Sequence, residues 1–455
     1  MRNLMPSTSK RGVIKRNILF LAFLFFVLAA SPAAAQNNNV IVRDTNGLTS
    51  LKNSCVSVGC TVAGQLDGTQ GQLFLVTPTQ TSSGGLLGGL LGTVFNLLDF
   101  IAKLLLQPGV TNAEPDQVLK VMQSSGTAPS GLWDNTPVKY FGTTVWDGYV
   151  HQPAAYIIRL SDEQSTYRKV TGSGTVAVID TGIDPTHPVF AGVLVSGYDF
   201  TRNTAGGSEL SDINQSTMSV VNNAYPAQVN QSTMAVVNQT AATTFQSSQY
   251  AAFGHGTMTS GIVHLVAPTA KIMPLKAFKS TGFGNLSDIL RATYYAVQHG
   301  ANVINMSFDL PTFSQAMNQA VTSANRAGII CVASAGNDGK DELVYPAAFT
   351  SVVMGVASTN NQDQRSSFSN YGQDLVWVAA PGEGIISPYP YGTYAAGWGT
   401  SFSAPFVSGG AALIRSAVST ANQTTAAQAL AHAKYINSSL NKGRMDLYQA
   451  VSSVE

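Results

Sequence analysis

From Thr171 onward the chain alternates short, continuously apolar runs with segments of helical periodicity, and this alternation constrains the fold more than any other feature. Apolar residues at every position, not every second one, mark strands buried on both faces. That is the condition of a parallel sheet covered by helices. The spacing predicts strands over residues 175–179, 271–277, 303–307, 329–333 and 352–356, with helices over 257–266, 287–299, 314–327 and 404–416. The expected class is α/β, with helices layered on a mostly parallel central sheet.

The 170 residues ahead of this region read differently. Arg2, Lys10, Arg11, Lys15 and Arg16 precede an apolar run over 18–30 and then Ala33-Ala34-Ala35, the three parts of a secretory signal peptide cut before Gln36. The alternative is an uncleaved N-terminal anchor. Residues 36–122 follow as a small β-α-β-β unit, with Asp67-Gly68 as hairpin chemistry, then a helix and a last strand over 110–118. The apolar stretch 84–106 could be a membrane segment. Asp99, Lys103 and its early glycines favour a packed helix. Residues 123–150 collect Ser, Gly, Thr, Asn and Pro as a linker and processing region, and a second domain over 151–455 is expected. Cys55 and Cys60 are near enough to be bridged or to stay reduced; Cys331 reads as a small buried residue.

Charge excludes whole classes of partner. Only 11% of residues are charged and the formal net charge is +1, so nothing steers the chain toward nucleic acid or an anionic surface. One segment breaks the α/β rhythm. Residues 201–250 are rich in Ser, Thr, Asn and Gln, and the run 214–222 nearly repeats as 230–238, an offset of 16 residues, as in a duplicated surface insertion.

Four places carry candidate chemistry. Asp180 ends a buried strand in Val176-Ala177-Val178-Ile179-Asp180-Thr181-Gly182, where open α/β sheets place their sites; Asp184 reads as a turn former. His255 stands between Gly254 and Gly256 at a helix start, while His151, His187, His264, His299 and His432 lack that setting and read as surface or packing residues. Asn337 follows a strand in Ala335-Gly336-Asn337, as a turn residue or an amide donor. Ser401 lies in Gly399-Thr400-Ser401-Phe402-Ser403-Ala404-Pro405, with Ser403 as the expected N-cap and Pro405 in the first turn. A nucleophilic serine needs a base, a carboxylate to hold that base, and donors for the oxyanion. All four parts are present.

These motifs, in the order Asp180, His255, Asn337, Ser401, resemble those of the subtilisin-like (subtilase, peptidase S8) serine proteases over about 173–451. The resemblance implies a three-layer subtilisin-like fold and a serine endopeptidase. Asp180 would orient the imidazole, His255 would act as base then acid, Ser401 would attack, and Asn337 with the Ser401 N–H would bind the oxyanion. It also implies that Asn305-Met306-Ser307-Phe308-Asp309 pairs with substrate, with Ser307, Phe308 and Gly336 as substrate-binding residues. Asp309 stands where the family commonly has glycine; an exposed turn is expected, against a role in narrowing the cleft or favouring a basic or small substrate residue. Residues 36–122 resemble the inhibitory (I9-like) propeptide, an α+β ferredoxin-like domain. The expected protein is therefore a secreted, self-processing zymogen and monomer whose partners are peptide substrates and its own propeptide. No cofactor is needed for the chemistry; structural calcium is common in the family, with no ligands nameable here. Acyl transfer to an amine on the same site, or a non-catalytic binding module on the same scaffold, are the rival functions.

Overall fold

The computed structural model describes residues 37–79, 90–121, 126–127, 129–213, 228–229, 234–236 and 250–455, with backbone alone at 90–95, 228–229 and 234–236. The expected signal segment and most of the repeat lie outside these residues. Two units divide between Val118 and Leu119.

In the first unit, β1 (Val40–Asp44), α1 (Leu48–Val58), β2 (Cys60–Gln65), β3 (Leu73–Pro78), α2 (Leu90–Leu105) and β4 (Val110–Pro115) follow the expected order. The strands form an antiparallel sheet ordered β2-β3-β1-β4. Period-two alternation sends Val40, Val42, Phe74 and Val76 to one face, where they meet Leu51 of α1 and Leu97, Phe100, Ile101 and Leu104 of α2. This explains the charges inside the apolar run: Asp99 and Lys103 pair at 2.7 Å on the exposed side of α2. Cys55 and Cys60 are joined as a disulfide.

The second unit begins with Leu119 and Lys120 of β5 (Val118–Lys120). Its main sheet comprises β6 (Thr175–Asp180), β7 (Tyr198–Asp199), β8 (Thr204–Ala205), β9 (Lys271–Lys276), β11 (Val303–Met306), β12 (Ile330–Ser334), β13 (Met354–Thr359) and β14 (Val378–Pro381), while β10 (Phe283–Asn285) pairs with β5. The order across the main sheet is β8-β7-β9-β6-β11-β12-β13-β14, parallel except for the β7–β8 edge. The chain passes from β6 to β9 on one side and returns to β11 on the other, so the strand order reverses at β6. A crevice opens at the carboxyl end of such a strand. Helices α3 (His255–Val266) and α6 (Thr400–Ala417) pack together; α4 (Leu286–Gln298) and α5 (Gln315–Arg326) form a second pair. An antiparallel hairpin, β15 (Ile385–Tyr389) and β16 (Thr393–Gly397), closes beside α3.

The helix carrying Ser401 departs from expectation. It starts at Thr400, with Gly399 as N-cap, and Ser403 is buried inside it, donating to the Pro381 carbonyl at 3.2 Å. The side-chain cap comes from 63 residues away, where Asn337 Oδ1 accepts the Thr400 N–H at 2.8 Å. A cap supplied by the fold leaves no local pattern to read.

Candidate active site

Asp180 and His255 come from the carboxyl end of β6 and the first residue of α3. The His255 ring is fully buried, and its Nδ1 lies 2.7 Å from Asp180 Oδ1. With an ionised acceptor there, Nδ1 carries the proton and Nε2 is left basic. Asp180 is held in turn by the Thr181 N–H (2.7 Å) and by Thr259 Oγ1 (3.1 Å), one turn along α3. Gly256 makes this approach possible: a Cβ there would stand 1.9 Å from the Gly182 carbonyl oxygen, so any side chain would force the two loops apart.

A second carboxylate, which the sequence did not single out, ties the same two loops. Glu209 is fully buried. Its Oε2 accepts from Thr181 Oγ1 (3.1 Å) and the Gly254 N–H (2.8 Å), and its Oε1 from the Thr257 N–H (3.2 Å) and the Thr257 hydroxyl. One group therefore grips the neighbour of Asp180 and both flanks of His255. Burial pushes its carboxyl up to about 8 against the pull of these donors. The Thr181 carbonyl is held by Lys276 Nζ (2.7 Å), itself fully buried and satisfied by Phe278 O and Asp212. No motif exposed Glu209, because it lies in the polar insertion.

Ser401 sits in the first turn of α6, almost fully buried, so backbone N–H groups at the positive helix end surround it. Its hydroxyl donates to the Ser307 carbonyl at 3.2 Å, and Ser307 Oγ returns a bond to the Ser401 carbonyl at 2.9 Å. Among the described residues His255 Nε2 is buried without a hydrogen-bond partner, and the ring packs against Phe402, 5.3 Å between centroids. The Ser401 hydroxyl bonded to Ser307 is therefore not bonded to the imidazole. Asn337 Oδ1 takes both the Thr400 N–H and its hydroxyl (3.0 Å), which turns the donor Nδ2 the other way.

All four expected catalytic residues therefore converge where the strand order reverses. Of the expected substrate-binding residues, Ser307 and Gly336 border this place, but Phe308 has its ring in the core against Phe278 and its carbonyl taken by Ser334. Asp309 is corrected: the expected exposed turn residue is 8% exposed. Asp184 is structural as expected, accepting from Thr186 and from the Tyr391 N–H. His187 and His264 are buried packing residues.

The sequence profile of the Subtilase family (peptidase S8) matches residues 172–449. The chain belongs to this family. Thermitase from Thermoactinomyces vulgaris is 34% identical over 293 residues, covering 62% of this chain and 89% of thermitase. Subtilisin Savinase from Lederbergia lenta is 32% identical over 269 residues, or 57% and 82% of the two chains. A solved cold adapted subtilisin-like serine proteinase is 28% identical, covering 62% of this chain and 90% of its own, with a TM-score of 0.48. This subtilase is a serine endopeptidase of the subtilisin type with an α/β fold.

Proposed function

We propose that this subtilase is a secreted zymogen that hydrolyses peptide bonds with Ser401, His255 and Asp180 and removes its own leading domain. The observation that carries the catalytic reading is the buried Asp180–His255 bond beside the α6 terminus. In this reading His255 Nε2 takes the Ser401 proton as the hydroxyl attacks the peptide carbonyl, and Asp180 stabilises the imidazolium that forms. Asn337 Nδ2 and the Ser401 N–H receive the oxyanion, and His255 then hands the proton to the leaving amine.

Self-processing is supported by the chain itself. The Val121 N–H donates to the Gly282 carbonyl at 2.8 Å, just ahead of β10. Gly282 lies against Ala252, three residues ahead of His255. An extended segment held by backbone bonds on a strand edge is how a peptide docks. The chain leaves this strand into the region 123–150, where the cut is placed, and residues 36–122 would then act as the inhibitory propeptide.

Peptide and protein substrates are the partners, and a monomer is the working form. Among the described residues no three His, Cys, Asp or Glu side chains gather as a metal site. Also among the described residues, no helix is long and apolar enough to cross a membrane. Secretion rests on residues 1–35. The Ser401→Ala variant should accumulate as an unprocessed precursor, while the wild type labels at Ser401 with a fluorophosphonate and His255→Ala does not. Normal maturation of Ser401→Ala expressed alone would refute self-processing.

A further inference from the structure

The strands β11 and β12 run side by side with Met306 opposite Ala333. Past their ends the segments 307–310 and 335–337 both reach the head of α6: the Ser401 hydroxyl donates to the Ser307 carbonyl at 3.2 Å, and the Thr400 hydroxyl accepts the Gly336 N–H at 3.2 Å. In the endopeptidase reading a peptide carbonyl attacked by Ser401 turns its oxygen to Asn337, and the side chain on the adjoining carbon is directed toward these two segments.

Asp309 reaches from the first segment to the second. Its Oδ2 lies 2.9 Å from where a Cβ on Gly336 would be, and Gly336, at φ +91°, has none. Among the described residues it makes no ion pair, and the charge acting on it is the like-signed Asp338. Burial and Asp338 push its carboxyl up to about 7. Asn370 Nδ2 abuts the same glycine, 2.5 Å from that Cβ position, buried and without a hydrogen-bond partner among the described residues. The two segments thus meet at a carboxyl group that has a hydrogen bond from its own backbone but no cationic partner among the described residues, carried by a side chain where glycine would have none.

Building on the endopeptidase reading above, we propose that Asp309 is the specificity-determining residue for the substrate side chain preceding the cleaved bond, and that it selects lysine or arginine. An unbranched stem lies along these segments and its cationic end meets the carboxylate in a charge-assisted bond. An aromatic ring there would collide with Asp309 and leave the acid buried and unpaired. The chain's own processing bond is presented intramolecularly at high effective concentration and does not measure this preference.

The test uses processed enzyme, with active sites counted by fluorophosphonate labelling, on tetrapeptide substrates that differ only in the residue before the cut: Arg, Lys, Gln, Met and Phe. Wild type should favour Arg and Lys over Met in kcat/KM by about 10- to 100-fold, the range for a hydrogen bond to a charged partner. Asp309→Asn should collapse that ratio, and Asp309→Gly should in addition raise Phe relative to Met. An unchanged Arg-to-Met ratio in Asp309→Asn, or wild-type preference for Phe or Gln over Arg, would overturn the assignment while leaving the endopeptidase reading intact. A processed wild type that neither labels nor cuts any of these peptides would overturn both.

Discussion

Two fully buried glutamates in the second unit carry carboxyls pushed up to about 8 by the same cause, loss of water, and yet they do opposite things. Glu209 lies under the site and is met by four donors drawn from both loops that present Asp180 and His255. Glu163, on the short helix Leu160–Thr166, has both carboxyl oxygens buried without a partner among the described residues. Burial alone makes a carboxylate costly to ionise. Whether that cost organises anything depends on what surrounds it: four donors turn Glu209 into a clamp, and none leaves Glu163 as a stability liability.

The largest test of this contrast is Glu209→Gln. An amide presents a donor to a pocket that offers donors, so the loops should shift by a fraction of an ångström and kcat/KM should fall about 10²-fold, mainly in kcat. Steady-state kinetics would decide it; a loss under threefold would break the clamp. Glu163→Gln should leave activity alone and act on stability. The sign follows from linkage: the folded state holds the Glu163 proton to about 8 and the unfolded chain only to about 4.5, so its contribution is full below about 4.5 and is lost as pH rises through about 8. Within that window the wild type should lose up to about 1.4 kcal/mol per pH unit relative to the variant. Denaturant midpoints for the inactivated Ser401→Ala background at pH 4.5 and 9 should therefore coincide at acid pH and diverge at alkaline pH. Smallest of all should be Asp162→Ala. The Asp162 carboxylate is 56% exposed and paired with Arg159 at 2.8 Å, an interaction worth about 0.2–1 kcal/mol or less. A larger change at Asp162 than at Glu163 would mean that pairing, not burial, dominates this helix.

The parallel core was legible because burial on both faces leaves continuous apolar runs, and 175–179 differs from the observed β6 by a single residue. Short or outlying elements were not. β7 is two residues long, and β14 through β16 follow one another without the helices that announce βαβ units. The four catalytic candidates stood out because each sits in a motif demanded by backbone geometry, such as the glycine at 256. Glu209 and Lys276 did not, since a clamp is defined by its partners in space, up to 48 residues from Glu209 and 95 from Lys276. Asp309 was visible as an oddity, but its burial depends on Gly336 and Asn370, which only the fold brings beside it.

The spacing of the four site residues has a consequence for the life of the chain. Asp180 is on a central strand, His255 and Asn337 follow, and Ser401 heads a helix that packs beneath β11, β12, β13 and β14. During synthesis the first 400 residues emerge without Ser401, the nucleophile of the mechanism proposed above. Helix α6 packs on strands that all precede it in the chain. In that mechanism a copy that stops short of Ser401 cannot hydrolyse a peptide bond.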